Sequence, residues 1–300
     1  MKKYLLHILL FFVIVAAVDV SVGSFGRYLQ GHAKGGSTRQ IDDLVMKDRH
    51  DVLILGSSRA HHHYDTPFLS DSLGVDVYNA GFDGNGVVLA DGVLEMVLNR
   101  YKPKLVLFDI EPSFDVNVYD KDNHHTRYIK YLKPYYREGG VSEIIKDVSV
   151  EEWRKVQSGL IRYNTEILGM LVDNVIDRGV ERSGFQPLQG KMEKEPEPKA
   201  PKDVVRDSFK LAYIEKLIGL CQENDVPLVL VGSPKYGQKN SEALWPVREI
   251  AEKQGVRFLD YYAEPSFMAH KEWFKEPMHL NSEGARVFSK MIANDISELL

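Results

Sequence analysis

The stretch "ILGSSRAHHHYD", residues 54–65, decides how this chain is read. An apolar run ends abruptly at Gly56, and two serines, an arginine and three histidines follow. With the residues just upstream it becomes "DVLILGSS" (51–58), a β-branched apolar run stopped by glycine and serine, as a buried strand would be. Three readings compete for what comes next: a nucleophilic serine at a strand end, a histidine metal cluster, or a polar cap opening a helix.

Four later segments repeat the strand pattern: "VDVYNAG" (75–81), "PKLVLFDIEP" (103–112), "VPLVLVGSPK" (226–235) and "VRFLDYY" (256–262). Helical patterns separate them. "GNGVVLADGVLEMVLNRYK" (84–102) places Leu89, Val93, Met96 and Val97 on one face, "SFKLAYIEKLIGLCQEN" (208–224) is amphipathic, and further helices are predicted over 241–254 and 281–300. Continuously apolar strands alternating with helices predict a parallel sheet covered on both faces, an α/β flavodoxin-like three-layer sandwich. Ligands bind beyond the carboxyl ends of such strands. The polar residues there are Ser57, Ser58, Arg59, Gly84, Asp109, Glu111, Ser233 and Lys235.

Residues 113–205 break the alternation and are expected to form a helical insertion, a lid or partner-binding surface. It is aromatic and charged, contains a predicted long helix over 149–176, and closes in "KMEKEPEPKAPKD" (191–203), an expected exposed loop. The N-terminus, "MKKYLLHILLFFVIVAAVDVSVGSFG", is apolar from Tyr4 to Val18 apart from His7. Those positions suit a signal-peptide core, with "VAA" at 15–17 as a cleavage site, whereas a span needs roughly 20 residues and here would carry Asp19. Residues 1–25 are read as signal anchor or signal peptide, the anchor being favoured, and 26–48 as a weakly structured connector. The domain then covers 49–300 and lies outside the cytoplasmic membrane. The 300 residues carry a net charge of -5, which gives no reason to expect nucleic acid as a partner, and the single cysteine, Cys221, excludes an internal disulfide and a cysteine-based zinc site.

Ser58 is the candidate nucleophile. A serine hydroxyl needs a nearby base to take its proton, and a strand-to-helix turn exposes its oxygen at a favourable dipole. The plain alternative is a helix N-cap. "WFKEPMHLNSEGARVFSKMI" (273–292) supplies the base: His279 stands three residues after Glu276, so that a carboxylate can orient an imidazole that accepts the serine proton. Adjacent histidines point in different directions, so at most two of His61, His62 and His63 could share an ion, and no H-E-x-x-H spacing occurs among these or around His124 and His125. They are read as a polar rim, with no metal and no cofactor. The residues around Trp153, Trp245 and Trp273 are expected to be mostly core.

"ILGSSRA" and "EPMHLNSEGA" resemble the SGNH (GDSL-type) hydrolase superfamily over roughly 49–112 and 205–300. The anchor and "GSSR" resemble its branch that modifies cell-surface polymers, such as alginate O-acetylation and teichoic-acid D-alanylation proteins. The resemblance implies Ser58 as nucleophile, His279 as base and Glu276 in the usual aspartate position. It places Gly84 of "NAGFDGNG" (79–86), less favourably Gly81, in the oxyanion hole. The chain departs from the pattern at the third block, where "LFDIEPSFD" offers Asp109 and Glu111 in place of an asparagine. A carboxylate repels an oxyanion. Either Asn85, Arg59 or Lys235 donates instead, or the acidic groups hold Arg59, or the site is weak. The implied activity is serine-dependent esterase or O-acyltransferase chemistry on acyl groups, acetyl foremost, of a surface or secreted polysaccharide, with a possible membrane acyl-transfer partner. The alternative is a non-catalytic protein of the same fold serving surface-polymer assembly.

Overall fold

The strand that begins with Val52 sits inside a five-stranded, all-parallel sheet in this computed structural model, which describes residues 2–118, 125–164, 166–176, 183–195 and 204–300. The strands are β1 (Val52–Gly56), β2 (Val77–Gly81), β3 (Leu105–Asp109), β4 (Leu228–Gly232) and β5 (Arg257–Asp260). Their order is β2-β1-β3-β4-β5, so the chain reverses its direction of travel between β1 and β3. This is the flavodoxin-like order, whose ligand crevice opens at that reversal. The fold class expected from the sequence is therefore the one observed.

Every residue of β1 to β4 is buried, which accounts for their uninterrupted apolar character. Val52, Ile54, Leu105, Leu107, Val229 and Val231 share one core cluster with Ala60, Leu69, Phe288 and Ile292 from helices Ser58–His63, Thr66–Leu73 and Ser282–Ile296. Fully burying such a side chain contributes about 1.5–3 kcal/mol relative to exposure. The helices Val87–Leu98, Ser208–Glu223 and Trp245–Gln254 pack in sequence with one another. A short antiparallel hairpin, β6 (Phe274–Glu276) and β7 (His279–Leu280), precedes the last helix.

The chain divides into two compact units, one of Asp48–Tyr128 and Glu181–Leu300, which holds the sheet, and one of Met1–Lys47 and Ile129–Val180. The expected insertion over 113–205 is thus not one piece: its middle belongs with the N-terminal helix and its flanks with the sheet. Residues 26–48 are not a loose connector either. The first helix runs from Lys2 to Gly31, and helices Gly36–Asp42 and Asp43–Lys47 follow. Their glycines and polar residues masked a helix whose buried side, including Leu29, Ile41, Leu44 and Val45, is spread thinly along the sequence.

The long helix expected over 149–176 breaks into Val150–Lys155, Gly159–Tyr163 and Ile167–Val175. Ser158 restarts it by accepting the Ile161 N–H at 3.2 Å. The Asp19 carboxylate of the first helix takes the Gly159 and Leu160 N–H groups at 3.0 Å each, and the Ser158 hydroxyl donates to it as well. A Cβ on Gly159 would stand 2.7 Å from Gly23 Cα, so the two backbones touch where neither residue has a side chain. The first helix is the one described helix long and apolar enough to cross a membrane. Its apolar side chains from Tyr4 to Val15 are exposed, whereas Gly23, Gly26, Leu29 and Gln30 are buried.

Trp245 is exposed at the start of its helix, and Trp153 and Trp273 are half-buried, so the tryptophans are less central than expected. His124 and residues 196–203 of the expected loop lie outside the described residues.

Candidate active site

The turn after β1 is built on Gly56, whose φ of +144° is a conformation that side-chain-bearing residues rarely adopt. A Cβ there would also lie 2.7 Å from the Asp109 carbonyl oxygen. Ser57 follows in extended backbone and caps the Ser58–His63 helix, its Oγ accepting the Arg59 N–H at 3.3 Å. Ser57 thus takes the capping role, which leaves the hydroxyl of the neighbouring Ser58 to other partners. Ser58, the first helical residue, lies 2.7 Å through Oγ from His279 Nε2.

His279 is positioned by the β6–β7 hairpin, whose register sets Glu276 opposite it. Its Nδ1 hydrogen-bonds Glu276 Oε1, while Glu276 Oε2 accepts the Met278 N–H at 2.9 Å. A carboxylate can only accept, so Nδ1 carries the proton and Nε2 is free to accept from Ser58. Burial pushes the Glu276 carboxyl up, but the His279 and Met278 bonds outweigh it and hold it below its usual value. Glutamate's extra methylene is thus absorbed by the hairpin, and no backbone carbonyl is needed to orient the ring. Ser58, His279 and Glu276 form a hydrogen-bonded relay, an arrangement that can move a proton off a serine hydroxyl.

Arg59, Asp109 and Glu111 do not line an open oxyanion site. All three are buried, and the Arg59 guanidinium turns inward. It donates to Glu111 Oε2 at 2.8 Å, to Ser233 Oγ at 2.9 and 3.1 Å, and to the Ser233 carbonyl. Its face lies over the Tyr262 ring at 5.1 Å. Burial raises the Glu111 carboxyl, but the Arg59 charge and hydrogen bond, the Lys235 charge and the Ser113 N–H together outweigh it and hold it down. Asp109, 3.9 Å from Arg59 and bonded by the Tyr64 hydroxyl at 2.6 Å, is pushed up by burial to about 6. Of the roles left open by the sequence, the acidic groups take the one of holding Arg59. Arg59, in turn, braces the end of β4 against the turn that carries Ser58.

The donors that remain as candidates for an oxyanion are backbone amides and the Lys235 ammonium. Gly84 adopts φ +68° in the loop after β2, which is tied to the end of β1 by the Phe82 N–H bond to the Gly56 carbonyl at 3.0 Å. The Gly84 carbonyl faces away, accepting from Arg127 at 2.9 Å. Asn85 is committed: its side-chain amide donates to the Asp83 carbonyl at 2.9 Å and its N–H to the Phe82 carbonyl at 3.1 Å. Gly81 sits within β2 and is packed against the His61 N–H, so it serves the strand rather than the hole. Lys235 is half-buried with its ammonium 5.7 Å from the centre of the Tyr262 ring. Burial lowers its pKa despite the pull of Glu111 and Glu276.

The histidine run divides by role. Buried His63 accepts the Leu280 N–H at Nε2 (3.0 Å), so its Nδ1–H donates to Ser233 Oγ (3.0 Å). Burial and the nearby Arg59 charge keep it neutral, well below the usual histidine pKa. His63 thereby links the strand bearing His279 to the Arg59 network, a role the sequence reading missed along with that of Ser233. Only their positions at strand ends hinted at it. His61 and His62 stack at 4.8 Å and both face Asp83. His125 pairs with Asp207 at 2.8 Å.

No family model and no curated protein matches the chain. Among solved structures, it is similar to one from Bacteroides fragilis described as a "putative acylhydrolase", at 12% identity and a TM-score of 0.46, over 88% of this chain and 98% of that one. It is also similar to a "putative platelet activating factor" structure from "Streptococcus pneumonia", at 12% identity and a TM-score of 0.43, over 97% and 98% respectively.

Proposed function

We propose that the protein is a serine-dependent acyl-ester enzyme working outside the cytoplasmic membrane on O-acyl groups, acetyl foremost, of a cell-surface or secreted polysaccharide. The observation that carries this reading is the relay at the ligand edge of the sheet: Ser58 Oγ 2.7 Å from His279 Nε2, with Glu276 on the far side of the ring. Ser58 Oγ attacks the acyl carbonyl carbon as its proton passes to His279 Nε2. The tetrahedral oxyanion is received by the Ser58 and Gly84 N–H groups. Its collapse returns the proton from His279 to the leaving alkoxide and leaves an acyl-Ser58. Water or a sugar hydroxyl then attacks the acyl carbon, giving its proton to His279, which passes it to Ser58 Oγ as the acyl–Ser58 bond breaks and the acid or acylated sugar leaves.

Placement outside the membrane is supported by the apolar first helix, and the polymer substrate by the sequence resemblance of "GSSR" and "EPMHLNSEGA". A membrane acyl-transfer partner would make the reaction a transfer. The test is labelling of the full chain in detergent by a fluorophosphonate. Labelling that Ser58→Ala and His279→Ala both abolish supports an activated serine. A folded protein that takes no label overturns the enzyme reading and leaves a non-catalytic role in polymer assembly.

A further inference from the structure

The three groups that meet beside the relay are His61, His62 and Asp83, which the acyl chemistry does not use. Their nearest ligand atoms all lie within 4.8 Å of one another. Asp83 Oδ1 is 2.9 Å from His61 Nδ1 and 3.4 Å from His62 Nε2. With metal–ligand bonds of about 2.0–2.1 Å, tetrahedral ligand atoms stand about 3.3 Å apart, which the two separations from Asp83 bracket, while the widest separation of the set, 4.8 Å, must shorten on binding.

The tautomer of His62 is the second observation. Only 7% of its surface is exposed, and its Nδ1 lies 2.7 Å from the Gln186 carbonyl oxygen. A carbonyl only accepts, so Nδ1 holds a hydrogen and Nε2 is the ring atom turned towards the Asp83 carboxylate. A ring fixed by a backbone carbonyl on one nitrogen, with its other nitrogen beside a carboxylate, is how proteins present histidine to a metal.

We propose that His61, His62 and Asp83 bind a zinc-class divalent cation. Imidazole and carboxylate together suit Zn2+ and its tetrahedral surrogate Co2+, and three protein ligands leave a position open to water or an oxygen of an incoming ligand. Asp83 is exposed and borders solvent, so the site can be loaded from outside. The rings of His62 and His279 meet edge-on at 5.3 Å, which sets the cation next to the serine relay. The proposal goes beyond the sequence-based view of the run as a polar rim: helix geometry keeps His63 apart but allows His61 and His62 to share a carboxylate from another loop.

The test titrates the untagged full chain in detergent with CoCl2 and with ZnCl2. One equivalent of Co2+ taken up with tetrahedral visible absorption, and displaced by Zn2+, is expected. Asp83→Ala and His62→Ala should each weaken Zn2+ binding by at least about 100-fold, since loss of a supporting group alone costs 10–100-fold. His270→Ala, which removes the separate surface pair with Glu272, should leave binding unchanged. Absence of a stoichiometric site, or a site indifferent to Asp83→Ala, overturns the proposal; the exposed Asp83 can be replaced without disturbing the core. Ser58→Ala should bind Zn2+ as the wild type does, so this result is independent of fluorophosphonate labelling.

Discussion

Removing Glu111 should destabilise the sheet-bearing unit more than removing Glu111 and Arg59 together. The Arg59 guanidinium is fully buried, and its strongest partner is Glu111 Oε2 at 2.8 Å. Glu111→Met strands a positive charge in the core, for which the typical cost is about 3–5 kcal/mol. Asp109 lies 3.9 Å away and, at neutral pH, is above its pKa of about 6, so it still answers part of that charge. The low end of the range applies, about 3 kcal/mol, or some two powers of ten in the opening equilibrium. In Arg59→Met/Glu111→Met both charges go, similar volume is restored, and Asp109 is free to remain protonated. Hydrogen exchange of the Leu105–Asp109 amides reads the opening of this unit alone. Exchange in Glu111→Met should be about 100-fold faster than in the wild type, and the double variant should recover much of the loss. A double variant that exchanges as fast as Glu111→Met, or faster, would refute the reasoning.

Two further predictions follow from the same geometry. Glu276→Gln should slow fluorophosphonate labelling of Ser58 by about 10–100-fold, the loss expected for one partly exposed charge-assisted hydrogen bond of about 1.5–3 kcal/mol; an unchanged rate would mean that the ring is oriented by something else. Asp109, raised to about 6, binds its proton more tightly folded than unfolded, so its contribution is present at low pH and is lost as pH rises from about 4 to about 6. Glu111, held low, has the opposite sign and contributes above its ordinary value near 4.5. Melting curves of Asp109→Asn against the wild type across pH 4–7 should show the wild type losing ground with rising pH, and a parallel pair of curves would contradict the assignment.

Four of the strands were legible because they are buried on both faces and so are apolar almost throughout, and β5, half-buried at the sheet edge, was legible from its short β-branched and aromatic run. The relay was legible too, since a strand-end serine and a carboxylate three residues before a histidine are local patterns. What stayed hidden is long-range. Nothing near Arg59 in the chain announces Ser233, 174 positions away, or says that Asp109 and Glu111 would turn inward to meet a guanidinium. The break of the predicted helix at Ser158 is hidden for the same reason, because the carboxylate that stabilises its restart comes from Asp19. Glycines 23 and 159 look like flexible residues in sequence and are a contact in the structure.

That contact has a practical consequence for handling the protein. Residue 26 looks like the natural place to cut away the apolar segment, and 15–17 the natural place for a peptidase. A cut at 26 would discard Asp19 and Gly23, leaving the Gly159 and Leu160 N–H groups without the carboxylate that receives them and removing the backbone contact at Gly159. The segment from Asp19 onward is a working part of the unit that it shares with Ile129–Val180, although it is continuous with the exposed apolar stretch, so a shortened form should begin upstream of Asp19.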